Sequence, residues 1–150
     1  MICFPDTSFL CALYRTQVSS ARADQFMAGL SGTLGVSSLL LLEFRQSIRL
    51  QIRLHLNDRI KGFPQKEGQQ MLNDLQIDLN AGLLTIIPVD WSAVHQRAEA
   101  LSSAHTLAAG HRLADILHVA TAIHLGATEF LTFDGNQRKL AEAEGLQVPA

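Results

Sequence analysis

The segment LADILHVATAIHLGATEFLTFD, residues 113–134, indicates the fold class of this chain most clearly. It predicts a helix over 114–125 that is ended by Gly126, because a glycine just past the last helical residue commonly closes a helix in a left-handed conformation. The apolar run at 129–133 then predicts a short buried strand, and Asp134 follows it directly. A helix followed at once by a buried strand is the repeating unit of α/β proteins with a parallel sheet.

The same alternation of short apolar runs and helical stretches extends over the whole chain. Further strands are predicted at 2–4, 34–36 and 84–89, with a short edge strand at 147–148. Helices are predicted over 7–15, 21–30, from 37 or 38 onward, 65–83, from 90 or 92 to 107, and 136–144. Because no linker or repeat interrupts this pattern in a chain of 150 residues, we expect residues 1–150 to form a single α/β domain.

The segment 48–56 gives a conflicting signal, because its apolar and polar residues alternate as they do in a strand. Its main residue types, Leu, Gln and Arg, favour helices, and we predict a helix there. Alternation on a helix spreads apolar side chains around most of the circumference, so a single chain is not expected to cover them all. We therefore expect this helix, or the one after it, to form the interface of a twofold homodimer.

Charge and composition exclude several classes of protein. Twelve Lys and Arg against fourteen Asp and Glu give a net charge of −2, which excludes a uniformly basic nucleic-acid coat protein. No stretch approaches the roughly 18 uncharged apolar residues of a membrane span. Asp6 stands where a signal peptide would carry positive charge followed by an apolar run, so we expect no secretion. Cys3 and Cys11 form neither a CxxC pair nor a metal-ligand spacing, so we expect free thiols in a cytoplasmic protein without membrane contact.

Basic residues concentrate between positions 45 and 61. Arg45, Arg49 and Arg53 are spaced by four and share one face of the predicted helix, where they could bind phosphate groups. They could also pair with acids of the following helix, such as Asp74 and Asp78. Both interpretations stay open at the level of the sequence.

Four carboxylates stand at boundaries of the predicted elements. Asp6 follows the first strand and Asp134 follows the strand at 129–133, so both lie at the carboxyl-terminal edge of a parallel sheet, where such sheets bind ligands. Glu43 comes about one turn into the helix after the second strand, and Asp115 stands near the start of the helix at 114–125. The positions predict that these four side chains converge.

Each acid also has an ordinary structural explanation. Asp6 and Asp134 could cap the helices that follow them, and Asp115 could be favoured by the dipole of its helix. Glu43 is harder to explain in this way, because a carboxylate among apolar neighbours is costly to bury unless another group pairs with it. Four converging acids would also repel one another, so we expect some of their pKa values to be raised unless a cation is bound.

The chemistry of these oxygen ligands points to a hard cation such as Mg²⁺ or Mn²⁺. Zinc is not favoured, because the six histidines form neither an HxxxH nor an HExxH spacing. His118, one turn after Asp115, could support the site, although a histidine with no part in the site is the commoner case. No glycine-rich phosphate loop and no nucleophile motif is present, which leaves metal-assisted attack of water on a phosphoryl group.

In their order along the chain, these residues resemble the PIN domain family, and within it the VapC-type toxins. The matching pattern comprises Asp6-Thr7-Ser8, Ser37-Ser38 through Leu42-Glu43, Leu113-Ala114-Asp115 with Ala120-Thr121-Ala122, and Leu131-Thr132-Phe133-Asp134. The resemblance extends over essentially the whole chain. It implies a three-layer α/β/α sandwich with a parallel sheet of about five strands in the order 3-2-1-4-5.

The resemblance also implies an activity and a site. The activity would be Mg²⁺- or Mn²⁺-dependent endonucleolytic cleavage of RNA, in a toxin that has an antitoxin protein as its partner. The catalytic and metal-binding acids would be Asp6, Glu43, Asp115 and Asp134.

Further roles follow from the same resemblance. Ser8 and Thr132 would support the acids beside them, and Asn136 would add another supporting group. Many relatives carry a further acid three residues beyond the position of Asp134, where this chain has Gln137, and this difference affects the binding of a second metal ion.

Two arginines are candidates for binding the RNA substrate, Arg112 close to the pocket and Arg45 on the basic helix face. Two other classes of protein are alternatives. A receiver-like phosphotransfer domain also gathers acids at a sheet edge, but it would need adjacent acids after the first strand and a lysine after the last one. The second alternative is a catalytically silent module of PIN fold that binds RNA or a partner protein.

Overall fold

The computed structural model describes residues 2–150, in which helices pack against short parallel strands. The strands are β1 (Cys3–Pro5), β2 (Leu34–Val36), β3 (Leu84–Ile86) and β4 (Glu129–Leu131). The helices are α1 (Thr7–Tyr14), α2 (Ser20–Gly29), α3 (Ser38–Asn57), α4 (Gln65–Ala81), α5 (Trp91–Ala109), α6 (Leu113–His124) and α7 (Gly135–Ala143). The α/β class and every predicted helix are confirmed, with helix ends within about two residues of the prediction.

The sheet is smaller than the resemblance implies. β2 pairs in parallel with β3, and β1 pairs in parallel with β4, as two separate hydrogen-bonded pairs. β1 and β2 lie side by side, but no hydrogen-bonded ladder joins them within residues 2–150. The fifth strand is reduced to one bridge between Gln147 and Glu129. Strands of three residues form few ladder bonds, and Pro5 has no amide hydrogen to donate, so a continuous five-stranded sheet does not form.

The parallel pairing decides where the functional side chains can meet. Pro5 at the end of β1 is in register with Leu131 at the end of β4, and the amide of Asp6 donates a hydrogen bond to the carbonyl of Leu131 at 3.0 Å. The residues that follow these two strands therefore emerge at the same edge. α3 begins just after β2, which brings Glu43 towards that edge.

The conflicting segment 48–56 is helical, as predicted, and forms the second half of α3. Its side chains are divided between core and solvent: Ile48 is 1% exposed, whereas Leu50, Leu54 and Leu56 are 49%, 43% and 71% exposed. The chain thus leaves these apolar side chains uncovered, and the homodimer through this helix stays a prediction. None of the helices within residues 2–150 is long and apolar enough to cross a membrane.

Aromatic side chains form the part of the core that supports the ends of β1 and β4. The ring of Phe9 on α1 stacks on Phe133 with centroids 5.8 Å apart, and it meets the edge of Phe26 at 5.9 Å. Phe4 of β1 and Phe130 of β4 stack at 6.4 Å. Phe4, Phe9 and Phe130 are fully buried, so they fix α1 and the segment after β4 relative to each other.

The connection between α3 and α4 depends on Gly62. Gly62 has φ +59°, and a methyl carbon at this position would lie 1.9 Å from the carbonyl oxygen of Gln51 in α3. Gly62→Ala is therefore expected to lower the free energy of unfolding by roughly 2–4 kcal/mol, because left-handed strain and a backbone clash add together. Thermal and denaturant unfolding measure this loss.

Gly82 is the matched control for this prediction. It also has a positive φ, +76°, but no atom lies within 4 Å of an added methyl carbon. Gly82→Ala is expected to cost only about 1 kcal/mol, from backbone strain alone. Equal losses in the two variants would contradict the close approach of the loop to α3.

Candidate active site

One cavity of about 460 Å³ receives all four predicted acids. Asp6, Glu43, Asp115 and Asp134 all line it. The cavity lies where β1 and β4 end, at the sheet edge that the sequence analysis singled out. The structure thus brings together side chains from four different parts of the chain.

Asp6 follows β1 and caps α1 from a buried position. Its Oδ1 accepts hydrogen bonds from the Phe9 amide at 2.9 Å and from the Ser8 hydroxyl at 2.7 Å, and its Oδ2 accepts one from the Thr132 hydroxyl at 2.5 Å. The residue is 1% exposed, and this burial raises the pKa of Asp6, although the three hydrogen bonds and the nearby His118 oppose the rise. Its two oxygens are therefore held in one orientation.

Ser8 and Thr132 join the start of α1 to the segment after β4. The Ser8 hydroxyl accepts a hydrogen bond from the Phe133 amide at 2.9 Å, and the Thr132 hydroxyl accepts one from the Asp134 amide at 3.0 Å. Asp134 in turn caps α7, because its Oδ1 accepts the Gln137 amide at 2.8 Å. Asp6 and Asp134 thus belong to one network while they also cap helices.

Glu43 of α3 meets His118 of α6. Oε2 of Glu43 and Nε2 of His118 form a hydrogen bond. Burial acts to raise the pKa of Glu43, but the hydrogen bond and the charge of His118 outweigh burial, so the pKa is lowered. The partner that a carboxylate among apolar neighbours requires is therefore a histidine from another helix.

Asp115 lies at the start of α6 beside Arg112. The Nε of Arg112 is 3.3 Å from Oδ2 of Asp115, and the side-chain amide Nε2 of Gln137 donates to the backbone carbonyl of Asp115, also at 3.3 Å. Asp115 is buried, whereas the Arg112 side chain is 79% exposed. An ion pair of this kind contributes little to stability, so Arg112 is free to exchange its partner.

Glu43 is not among the acids whose pKa is raised: burial acts to raise its pKa, but the hydrogen bond with His118 outweighs burial and lowers it. The raised pKa of Asp6 agrees in direction with the prediction, but burial is its largest cause. Each of the four carboxylates accepts a hydrogen bond from at least one donor, because the fold places hydroxyl, amide, imidazole and guanidinium groups next to them.

The donor set suits a hard divalent cation, because four carboxylates line one cavity and such cations prefer carboxylate oxygen. The hydroxyl of Thr7, which also lines the cavity, is buried beside the Glu43 carboxylate and helps to lower its pKa. Within residues 2–150, no three acidic, histidine or cysteine side chains surround one point closely enough to hold an ion as they stand. The ligand chemistry therefore fits a cation, and binding requires side chains to turn towards it.

Three residues proposed for the site, Arg45, Thr132 and Asn136, do not line the cavity, although Thr132 contacts it indirectly through its hydrogen bond to Asp6. The side-chain amide of Asn136 lies 3.2 Å from Nδ1 of His111. Arg112, the other arginine proposed to bind substrate, does line the cavity.

The basic residues of α3 do not pair with the acids of α4 among the described residues. Asp74 accepts a hydrogen bond from the Gln70 side chain at 2.8 Å, and Asp78 accepts one from the Tyr14 hydroxyl at 2.7 Å. Pairing with these acids is therefore not what holds Arg45, Arg49 and Arg53, and the phosphate-binding interpretation of this face stays a prediction.

No role was predicted for Thr7, which entered only as part of the pattern Asp6-Thr7-Ser8, and Gln137 was noted only as a difference from the relatives. His118 was expected more commonly to have no part in the site, yet this residue is 1% exposed and bonded to Glu43. One signal was present: His118 is three residues after Asp115, and residues at this spacing share a helix face.

Comparison with known proteins relates the chain to one family. The PIN domain family model matches residues 3–143. No curated protein matches the sequence significantly. Among solved structures, VapC20 of Mycobacterium tuberculosis, a sarcin–ricin loop cleaving toxin, has a TM-score of 0.67 and 19% identity, with 96% of this chain and 95% of that chain covered.

Two further structures are similar. FitAcB of Neisseria gonorrhoeae has a TM-score of 0.61 and 17% identity, with 98% of this chain and 96% of that chain covered. VapBC2 of Rickettsia felis, bound to a DNA fragment from its promoter, has a TM-score of 0.61 and 16% identity, with 99% and 97% covered. Identities this low establish the fold alone. Because the family model spans nearly the entire sequence and the fold agrees with it, this chain belongs to the PIN domain family.

Proposed function

We propose that this protein is a Mg²⁺- or Mn²⁺-dependent endoribonuclease and the toxin of a toxin–antitoxin pair. The observation that carries the proposal is the convergence of Asp6, Glu43, Asp115 and Asp134 on one cavity in a PIN domain. Support for RNA as the substrate comes from the similar fold of VapC20, which cleaves the sarcin–ricin loop. The resemblance to VapC-type toxins supports an antitoxin protein as the partner.

The four carboxylates would hold the cation, with Asp6 and Asp115 as the central ligands. A bound divalent cation supplies an activated water for attack on the phosphodiester and neutralises charge that develops in the transition state. Asp6 enters this arrangement with both oxygens already oriented by Ser8, Phe9 and Thr132. Such preorientation lowers the cost of assembling the site.

Arg112 is the residue best placed to bind the substrate backbone. Its guanidinium is largely exposed at the cavity and is paired with Asp115. If Asp115 bound the cation, Arg112 would be able to donate a hydrogen bond to a non-bridging phosphate oxygen of the RNA. Such a contact positions the RNA backbone without recognising the base. Hydrolysis with in-line attack leaves 5′-phosphate and 3′-hydroxyl ends.

A catalytically silent binding module is the second candidate. It is favoured by one observation: no three potential ligands within residues 2–150 already surround a common point. Such a module would bind RNA or a partner protein without cleaving it.

Metal titration together with an RNA cleavage assay separates the two candidates. The proposal expects cleavage of structured RNA in Mn²⁺ or Mg²⁺, no cleavage in EDTA, and 5′-phosphate ends on the products. Mn²⁺ at about 100 times its Kd should raise the free energy of unfolding by about 2.7 kcal/mol, roughly 5–10 °C in Tm. If Mn²⁺ did not bind and no cleavage occurred in its presence, the catalytically silent binding module would be favoured.

A further inference from the structure

One buried basic side chain, His118, contacts an acid of the cavity without lining the cavity itself. His118 is 1% exposed, and its Nε2 is bonded to Oε2 of Glu43. Its other ring nitrogen, Nδ1, is also buried and has no partner among the described residues. The contact to Glu43 is therefore the one hydrogen bond that this imidazole makes there.

We infer that His118 is a positioning residue that holds the carboxylate of Glu43 in the cavity, ready to receive a divalent cation. The inference rests on the proposed function, because it assigns His118 a task in the same site. The inference adds His118 to the site that the four acids form.

The reason lies in the freedom of the Glu43 side chain. Three rotatable bonds separate its carboxylate from α3, and the side chain is 32% exposed, so solvent competes for the carboxylate. A bond from a buried, rigid imidazole removes that freedom. Because the bond engages Oε2, Oε1 of the same carboxylate is left for another contact. Groups that orient ligands in this way commonly contribute strongly to metal affinity.

The helix α6 links this role to a second acid. Asp115 and His118 are three residues apart on α6 and face the same side. Helix α6 thus carries Asp115 itself, and through His118 it also orients Glu43 of α3. Any shift of α6 against α3 would disturb both acids together.

A direct part of His118 in proton transfer does not fit its surroundings. The residue does not line the cavity, and its Nδ1 is closed off from solvent. His118 therefore acts through Glu43 and not on the substrate.

The test replaces His118 with Gln or with Asn, whose side-chain amide groups extend to different distances from the backbone. In His118→Gln the side-chain N–H can stand near the place of Nε2, whereas in His118→Asn it reaches only to the region of Nδ1. Mn²⁺ affinity is measured by calorimetry on the whole protein, without RNA. We expect His118→Asn to weaken binding about 10-fold, and His118→Gln to retain affinity within about 3-fold of wild type.

The same substitutions are then made in a Glu43→Gln background. If His118 acts through Glu43, His118→Asn should produce little further loss there, within about 2-fold. A purely structural histidine would lower the melting temperature of both variants without this pattern of affinities. If His118→Asn does not fold, His118→Met replaces it as a variant of similar volume without a donor.

The outcomes are distinct. Unchanged Mn²⁺ affinity in folded His118→Asn or in Glu43→Gln, or equal losses from His118→Asn in both backgrounds, would overturn the positioning role and leave the proposed function in place. Failure of the wild-type protein to bind Mn²⁺ would overturn the proposed function and this inference with it.

Discussion

Replacing Asp6 or Asp115 with asparagine is expected to reduce metal-dependent RNA cleavage at least about 100-fold, with the fold retained. Each substitution keeps the volume of the side chain and removes the negative charge that would hold the cation. Asp6 has a further reason to be sensitive, because its two oxygens accept three hydrogen bonds and an amide cannot accept on its nitrogen. The measurement is the initial rate of RNA cleavage at saturating Mn²⁺, with the melting temperature recorded in EDTA.

Asp90→Asn is the matched control for these variants. Asp90 caps α5 just as Asp6 caps α1, with its Oδ1 accepting the Ala93 amide at 3.2 Å, but it does not line the cavity. Because asparagine caps helices as well as aspartate does, cleavage should stay near the wild-type rate. Near-normal cleavage by both Asp6→Asn and Asp115→Asn would refute the site.

Truncating Phe9 is expected to have the largest effect on stability. Phe9 is fully buried between Phe26 and Phe133, so Phe9→Ala leaves a cavity where two aromatic contacts meet. We expect a loss of about 3–5 kcal/mol, and a melting temperature lower by roughly 10 °C or more. Because Phe133 lies between Thr132 and Asp134, the same change should also loosen the cavity and weaken Mn²⁺ binding.

Two further variants serve as controls for the loss of stability expected from Phe9→Ala. Phe9→Leu fills part of the space, and its loss of stability should lie between those of wild type and Phe9→Ala. Leu107→Ala removes a side chain that is 100% exposed, and its effect should stay within about 0.5 kcal/mol. A loss from Phe9→Ala no larger than that from Leu107→Ala would contradict the aromatic core described above.

The helices of this fold were predictable because their signals are local. Ser37 accepts the Leu40 amide at the start of α3, and Gly82 and Gly110 close α4 and α5 in left-handed conformations. Even the segment 48–56 was predicted correctly, once residue propensity was given more weight than alternation. The strands were predicted less well. Those at 84–89 and 129–133 end at Ile86 and Leu131, because pairing with a partner strand decides where a strand ends.

The convergence of the four acids on one cavity could be predicted from the sequence for a similar reason. Asp6 and Asp134 stand directly after apolar runs, and the carboxyl ends of parallel strands meet at one edge whatever the details of packing. The ionisation of the acids could not be predicted in this way. It depends on which donors the fold delivers to each carboxylate, and the lowered pKa of Glu43 comes from a histidine 75 positions away along the chain.

The sequence by itself determined the α/β class, the helices, the family resemblance and the convergence of four acids at one sheet edge, because capping, periodicity and the order of motifs are properties of neighbouring residues. Only the tertiary structure decided that the strands pair two by two, that Arg45, Thr132 and Asn136 do not line the cavity, and that His118 bonds to Glu43. These outcomes depend on contacts between distant segments. Such contacts form only where the helices pack, and no local pattern in the chain encodes their geometry.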